Sequence, residues 1–266
     1  MLVIGDRING TVGAVREALL ARDEAFLAGL AAVQATAGAD YIDVNVGTCE
    51  GEGERSLMEW ALGVIRDACD LPVALDSSDP LVLARGLEIL GDSRPFINSV
   101  SADRAKMDAV LPLVAAHECP VVALAMDESG IPKTPRERLE ACLRIMERSA
   151  ELGIPESAVY FDPLMLPVSV DHEQGRITLD TLALIKSELP GAGTILGLSN
   201  VSFGLPNRSL LNQAMLSAAV YTGLGAALLD PTDRGLMATA LAASAVSGND
   251  PFCRGYIKSY RSGALG

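Results

Sequence analysis

Short apolar runs alternate with longer mixed segments along this whole chain, and that alternation constrains the fold more than any other feature of the sequence. Each run has the character of a buried strand, because strands of parallel sheets are nearly continuous runs of apolar residues. The predicted strands cover residues 2–5, 41–46, 72–75, 96–98, 121–126, 159–161, 194–198 and 226–229. The segments between them are helix-like, and strands that alternate with helices indicate a parallel sheet.

The number of strand–helix units narrows the choice of architecture. Helices are predicted at residues 24–37, 56–69, 80–90, 102–117, 135–152, 179–189, 209–222 and 236–247, with a short further helix at 252–260. Eight units in a chain of 266 residues favour an α/β fold of the closed (β/α)8 TIM-barrel type, which commonly takes roughly 250 residues. An open, doubly wound sheet is the alternative. The sequence contains no linker and no internal repeat, so we expect a single domain over residues 1–266.

The composition argues against several classes of function. A formal net charge of −13 disfavours nucleic acid and anionic membrane surfaces as partners, because both are themselves negative. The five cysteines are scattered and the two histidines lie far apart, so the sequence predicts no zinc site. No apolar run approaches the roughly 20 residues that cross a bilayer. Strand-like residues already begin at Leu2, so we expect no signal peptide before them. We therefore expect a cytoplasmic protein.

Five apolar runs end in a carboxylate or an amide, which indicates a pocket that binds by hydrogen bonds. The residues at these ends are Asp43, Asn45, Asp76, Asn98, Asp162 and Asn200. In α/β proteins the carboxyl ends of parallel strands line the ligand site. A carboxylate accepts charge-assisted bonds and an amide both donates and accepts, which complements the edge of a pterin or a purine. Taken singly, such a residue is also typical of a helix cap or turn, and Asp76, just before Pro80, fits that interpretation.

Six segments in a fixed order resemble those of a known family. They are Gly5-Asp6-Arg7-Ile8-Asn9-Gly10, Tyr41-Ile42-Asp43-Val44-Asn45-Val46-Gly47, Ala74-Leu75-Asp76-Ser77, Phe96-Ile97-Asn98-Ser99, Tyr160-Phe161-Asp162-Pro163-Leu164 and Leu196-Gly197-Leu198-Ser199-Asn200-Val201-Ser202. The set resembles the pterin-binding methyltransferases, above all the methyltetrahydrofolate:corrinoid protein methyltransferases, over nearly the whole chain. The resemblance implies a homodimeric TIM barrel that binds folate at the carboxyl ends of its strands. It also implies methyl transfer between N5 of tetrahydrofolate and the cobalt of a corrinoid.

The resemblance implies roles for individual residues as well. Residues that match those bonded to the pterin ring are Asp76, Asn98 and Asp162. Residues that match flanking contacts to the folate are Gly197, Ser199 and Arg208. Residues that match supports of the pocket are Asp6, Asp43 and Asn45.

Asn200 matches the asparagine that approaches N5, where the methyl group sits. A tertiary amine is a poor leaving group unless its nitrogen gains a proton or a strong hydrogen bond as the methyl group departs. A hydrogen-bond donor at N5 would therefore act mainly in the transition state. An amide is not an acid at neutral pH, and we expect the proton itself to come from solvent.

Two positions depart from the family pattern. Family members often have Glu where this chain has Asp6, which shortens the side chain by one methylene and puts a direct ligand contact in doubt. Some relatives carry a polar residue at the position of Phe203, so the phenyl ring could change contacts to the folate or to the corrin.

We expect the corrinoid, a cobalamin, to arrive on a partner protein, with no metal bound by this chain. Corrinoid-binding domains usually contain Asp-x-His-x-x-Gly. This chain has His172-Glu173-Gln174-Gly175, but its aspartate stands one place too late. The segments 49–55 and 127–134 are predicted loops on which the partner docks.

Three other functions compete with this interpretation. Dihydropteroate synthases resemble the chain, but usually have a lysine and a Ser-Arg pair around strand 7 and Met-His after strand 5, where this chain has Asn200-Val201 and Met126-Asp127. A second competitor is zinc-dependent methyl transfer to a thiol, which would need a cluster of cysteine and histidine ligands that this sequence lacks. The chain could still be the folate-binding half of a larger system like methionine synthase. A non-catalytic folate-binding subunit would have the same pocket.

Overall fold

The computed structural model describes residues 1–47 and 52–265, and these residues form a closed barrel of eight parallel strands. Each strand pairs with the next in the chain, and pairing of the first with the last closes the barrel. The strands are β1 Leu2–Asn9, β2 Tyr41–Asn45, β3 Val73–Asp76, β4 Phe96–Ser101, β5 Val121–Leu124, β6 Val159–Asp162, β7 Gly193–Gly197 and β8 Ala226–Leu229. The predicted TIM barrel is confirmed, and the open sheet is excluded.

Helices cover the outside of the barrel. They are α1 Gly13–Ala21, α2 Glu24–Thr36, α3 Glu52–Ala68, α4 Pro80–Leu90, α5 Arg104–His117, α6 Pro135–Glu151, α7 Gln174–Glu188, α8 Arg208–Thr222, α9 Arg234–Val246 and α10 Arg254–Arg261. Outward-facing strand residues such as Val44, Leu75 and Ile97 are completely buried in the core between strands and helices. Each such side chain contributes about 1.5–3 kcal/mol through its burial. No helix in the described part of the chain has the length and apolar character needed to cross a membrane.

The interior of the barrel has an apolar lower level and a polar upper level. The lower level consists of Ile4, Ala74, Phe96, Val122, Ile195 and Ala226. The ring of Phe96 meets those of Tyr41 and Tyr160 edge to face, with centroid distances of 5.1 and 4.9 Å. Because side chains alternate along a strand, the residue two places further on faces the same side. Two places after Ile4, Ala74 and Phe96 stand Asp6, Asp76 and Asn98, so the carboxyl end of the barrel is polar above an apolar floor.

The N-caps of several helices are acidic residues other than those that follow the predicted strands. The side chains of Asp79, Asp103 and Asp233 accept hydrogen bonds of 2.9, 3.0 and 3.0 Å from backbone N–H groups in the first turns of α4, α5 and α9. Such a cap stabilises a helix by about 1 kcal/mol. Since Asp79 is the cap of α4, the helix-cap interpretation of Asp76 is wrong, and its carboxylate remains for the site.

Several boundaries differ from the predicted ones. The helix α1 is not indicated by the sequence pattern, because only Val15 and Leu19 of it are buried. β1 continues through polar residues to Asn9, and α7 begins at Gln174 rather than at 179. Of the predicted docking loop 49–55, residues 49–51 lie outside the described residues, and the remainder forms the first turn of α3 rather than a loop.

Candidate functional site

Three polar side chains form a row across β2, β3 and β4, with Asn45 and Asp76 at the ends of their strands and Asn98 within β4, which continues to Ser101. Asn45 lies in register with Asp76, and Asp76 with Asn98. The Nδ2 of Asn45 donates to Oδ2 of Asp76 at 2.8 Å, and the Nδ2 of Asn98 donates to Oδ1 of Asp43 at 3.2 Å. Within residues 1–47 and 52–265, Oδ1 of Asp76 has no donor. The row therefore presents a carboxylate oxygen that is held in place by its neighbours and is free to accept a bond from a ligand.

Burial, with a smaller effect of neighbouring carboxyl groups, raises the pKa values of Asp43 and Asp76. Burial, with Asp76 next in effect, raises the pKa of Asp43 well above its ordinary value and favours its protonated form. Burial also raises the pKa of Asp76 to about 6, against the opposing effect of the bond from Asn45. A ligand with N–H donors would favour the ionised form of Asp76, because it supplies the hydrogen bonds that the buried charge lacks.

A buried arginine holds the backbone that directly follows Asp162 at the end of β6. The Oδ1 of Asp162 accepts from the backbone N–H of Leu164 at 2.7 Å. Arg138 of α6 is completely buried and donates to the carbonyl oxygens of Pro163 and Leu164 at 2.9 and 2.7 Å. Burial raises the pKa of Asp162 to about 6, although backbone N–H groups and the charge of Arg138 oppose the rise. Arg138 is a supporting residue that sequence reasoning misses, since it lies among the other charged residues of α6.

The raised pKa of Asp162 predicts a pH-dependent effect on stability. The folded state holds this proton up to about pH 6, whereas the unfolded state releases it near 3.8, so the contribution of Asp162 to stability is lost as pH rises between these values. Asp162→Asn removes the titration. We expect the free energy of unfolding of the variant, relative to the wild type, to increase by about 2 kcal/mol between pH 4.5 and 7.5. Urea unfolding at the two pH values measures this difference.

Asp250→Asn is the matched control for that measurement. Backbone N–H groups of Gly255 and Tyr256 hold the pKa of Asp250 below 3.8, so its titration lies under the pH range used. Its stability relative to the wild type is expected to stay constant. An equal slope for both variants would contradict the assignment to Asp162.

Asn200 lies in a short 3-10 turn, Leu198–Ser202, beyond the end of β7. The sequence predicts a strand over residues 194–198 with Asn200 just after it, and the structure adds the 3-10 turn that carries Asn200. The side chain of Asn200 is exposed and folds back over Gly197, where a Cβ atom would stand 3.7 Å from its Nδ2. Arg208 donates from Nη2 to the carbonyl oxygen of Ser199 at 2.7 Å and from Nε to Oγ of Ser202 at 3.0 Å. Arg208 therefore holds the turn that carries Asn200.

Asp6 closes the upper level on the β1 side. Burial and the nearby charge of Asp230 raise its pKa to about 6, while a hydrogen bond with the Ser199 side chain opposes the rise. The side chain of Arg7 lies 3.7 Å from Asp230 and donates to Oγ1 of Thr232 at 3.1 Å. Asp230 is a second residue that sequence reasoning misses at the site, although it directly follows β8, as the other acidic residues follow their strands.

Glu54, at the start of α3, is a third such residue. It is nearly buried, and its Oε1 accepts from Oγ of Ser77 at 2.5 Å, next to Asp76. The negative charge of Glu54 adds to the rise in the pKa of Asp76. Nothing in the sequence around Glu54 distinguishes it from surface glutamates, so only packing identifies it.

All the sequence-predicted site residues lie at the carboxyl end of the barrel. They are Asp6, Asp43, Asn45, Asp76, Asn98, Asp162, Gly197, Ser199, Asn200 and Arg208. Asp43 is buried below the row, so it supports Asn98 rather than facing the opening. No three histidine, cysteine or acidic side chains are grouped as metal ligands anywhere in the described ranges. The carboxylates of Asp76 and Asp162, both near this end of the barrel, have the chemistry to accept hydrogen bonds from N–H donors.

Comparison with known protein families identifies the family of this chain. A family model described as "Pterin binding enzyme" matches residues 5–245. The chain belongs to the pterin-binding enzyme family.

Two curated relatives are similar over most or all of this chain. A protein of Eubacterium limosum named methylcorrinoid:tetrahydrofolate methyltransferase is 34% identical over 268 residues, which cover 100% of this chain and 98% of that protein. The methionine synthase of Mycobacterium leprae is 33% identical over 242 residues, 86% of this chain. The match spans only 20% of that synthase, so the likeness concerns one part of a much longer protein.

Solved structures of dihydropteroate synthases share the fold. The enzyme of Clostridium difficile, determined with pteroic acid, superposes with a TM-score of 0.70 at 17% identity and covers 92% of this chain and 96% of its own. The enzyme of Coxiella burnetii, in complex with pteroic acid, gives 0.68 at 18% identity over 92% of this chain and 94% of its own. At these identities the likeness shows the barrel alone.

Proposed function

We propose that this chain transfers a methyl group between N5 of tetrahydrofolate and the cobalt of a corrinoid carried by a separate protein. The observation that carries the proposal is the upper level of the barrel. There the row of Asn45, Asp76 and Asn98 lies at the same end of the barrel as Asn200. Asn200 is exposed on a turn that a hydrogen bond from Arg208 holds in place. The relative from Eubacterium limosum, whose name states this pair of substrates, is 34% identical over the whole chain.

In the proposed site the folate binds by its pterin edge. Asp76 and Asp162 accept from the amino and ring N–H groups, and Asn98 completes the row. Gly197 and Ser199 flank the ring, and the ionised carboxylates make the bonds charge-assisted. Asp6, Asp43 and Asn45 hold these residues in position. This arrangement explains why carboxyl groups are kept at the barrel end despite the destabilisation that their burial causes.

Asn200 is the proposed partner of N5. When the methyl group leaves, the nitrogen gains electron density and binds a donor more strongly, so the amide of Asn200 stabilises the transition state more than the ground state. Arg208 keeps the turn from shifting, since it is bonded to both Ser199 and Ser202. Forward and reverse transfer pass through one transition state, so the same residues serve both directions.

The dihydropteroate synthase alternative is not favoured, although its solved structures share the barrel. That reaction needs a cationic group for its anionic co-substrates. The turn at Leu198–Ser202 carries no lysine or arginine of its own, and the side chain of Arg208 is engaged with the backbone of that turn. After β5, Asp127 bonds to Arg144 at 2.6 Å rather than offering a histidine.

We further propose that residues 1–266 act as a single domain in a cytoplasmic homodimer, with the corrinoid protein docking over the end of the barrel. The resemblance to the homodimeric methyltransferases supports the dimer. Light scattering in solution tests it against the chain mass of 27.8 kDa. The loop after β5, which includes Asp127 and Lys133, is a proposed docking element.

The proposed reaction is testable with purified protein and two small molecules. Titration with methyltetrahydrofolate is expected to show binding, and addition of cob(I)alamin is expected to produce the visible spectrum of methylcobalamin. If the protein binds folate but transfers the methyl group only to a protein-bound corrinoid and not to free cob(I)alamin, the proposed function stands and the acceptor must be protein-bound. Binding with no transfer to either acceptor would favour a non-catalytic folate-binding subunit, and no binding would overturn the pterin site itself.

A further inference from the structure

Two loop segments beside Asn200, residues 163–170 and 197–207, present an uncharged, apolar surface to solvent. Neither residues 163–170 nor residues 197–207 include a charged side chain, although 21% of the chain is Asp, Glu, Lys or Arg. Within these loops Val170 is 80% exposed and Phe203 is 64% exposed. We refer to these two side chains as the Val170–Phe203 platform. Exposed apolar groups next to a functional site commonly mark a binding surface.

Hydrogen bonds hold the two loops together, so the exposure of the platform is built into the fold. The backbone N–H of Val168 donates to the carbonyl oxygen of Val201 at 3.1 Å, and Oγ of Ser169 donates to the carbonyl oxygen of Phe203 at 2.7 Å. The N–H of Phe203 in turn donates to the carbonyl oxygen of Asn200 at 3.2 Å. The platform is thus fixed directly to the residue that is proposed to face N5.

We propose that the Val170–Phe203 platform is a binding surface for the corrin macrocycle of the methyl-accepting corrinoid. This inference rests on the proposed function, because it concerns the second substrate of the same site. In-line transfer brings the methyl group and the cobalt to roughly 3–3.5 Å from each other before reaction. Since cobalt sits at the centre of a broad, flat ring, the surface that flanks Asn200 lies under that ring and not under the partner polypeptide.

The chemistry of the platform fits a macrocycle better than a polypeptide surface. Much of the corrin periphery is methyl and methylene, and packing against Val170 and Phe203 removes apolar surface on both sides from water. The loops after β5 and β8 are charged, with Asp127 and Lys133 after β5 and Asp233 after β8. Those loops offer polar contacts to the protein that carries the corrinoid, whereas residues 163–170 and 197–207 carry no charge and the acidic Asp171 and Glu173 follow only after Val170.

Kinetics with free cob(I)alamin test the platform, because this acceptor brings a macrocycle and no polypeptide. For Phe203→Ser we expect the KM for cob(I)alamin to rise about tenfold, and for Val170→Ser about threefold, because serine covers less apolar surface of the ring than either side chain does. The kcat at saturation and the dissociation constant for methyltetrahydrofolate are expected to stay within twofold of the wild type. Both side chains are largely exposed, so the variants should fold normally.

Val246→Ser provides the matched control, since Val246 is 85% exposed at the end of α9, away from the loops that follow the strands. An unchanged KM for cob(I)alamin in an active Phe203→Ser enzyme would overturn the platform and leave the proposed function standing. A defect seen only with a corrinoid protein, and not with free cob(I)alamin, would also overturn it, since the platform would then bind polypeptide. Absence of transfer by the wild type to either acceptor would overturn the proposed function, and the platform with it.

Discussion

Replacement of Asn200 by alanine is expected to lower the rate of methyl transfer by about 100- to 1000-fold, the usual cost of removing one donor aimed at developing charge. The folded structure should be retained, because the side chain is exposed and the turn is held by Arg208 through Ser199 and Ser202. Folate affinity should fall by about tenfold at most, since a single neutral hydrogen bond contributes about 0.5–1.5 kcal/mol. Stopped-flow transfer to cob(I)alamin and equilibrium titration separate the two effects.

Two further variants sharpen that test. Asn200→Asp keeps the size of the side chain but loses the donor at neutral pH, so it should be as slow as the alanine variant. Asn249→Ala changes an exposed asparagine that follows α9, and its rate should equal that of the wild type. If Asn200→Ala retained both rate and affinity, the role assigned to Asn200 would be wrong.

Replacement of Asp76 by asparagine is expected to weaken the binding of methyltetrahydrofolate by about 100-fold, or roughly 2.7 kcal/mol. The change removes the charge and turns one oxygen into an N–H group, which would face the donors of the pterin edge instead of accepting from them. The bond from Asn45 to Oδ2 at 2.8 Å can persist with the remaining amide oxygen, so the neighbouring strand should keep its position. Isothermal calorimetry of the folate complex measures the loss.

Asp79→Asn is the control for that measurement. Asp79 lies three residues further on and caps α4 through its bond to Leu81 at 2.9 Å. Asparagine caps helices about as well as aspartate, so folate affinity should not change. Equal losses in the two variants would indicate a general disturbance of this loop rather than a hydrogen bond from the pterin to Asp76.

The strand-end residues could be predicted from the sequence because both signals for them are local. A short apolar run gives the strand, and the polar residue that ends it must lie at the carboxyl end of the sheet. Asp76 follows this rule directly. Asn98 does not, because β4 continues past it to Ser101, and it joins the row through its register with Asp76. The functional roles of these residues remain predictions, which the variants above test.

Residues contributed by helices could not be found in the same way. Arg138 has charged neighbours at Arg136, Glu137 and Glu140, and only its complete burial against the loop after β6 distinguishes it. The 3-10 turn that carries Asn200 after β7 could not be predicted from the sequence either. The turn depends on Arg208, several residues later in the chain, and local propensity does not reveal such a bond.

The raised pKa values at the barrel end have a consequence for a cell whose interior turns acidic. Asp76 and Asp162 each have a pKa of about 6, and a pterin that donates N–H groups to them, as proposed, favours their ionised forms. As the pH falls below neutrality, protons therefore compete with the folate for the same carboxylate oxygen atoms. Folate occupancy should then follow the pH around the protein, so the flow of one-carbon units through it would slow under acid stress before the fold itself is affected.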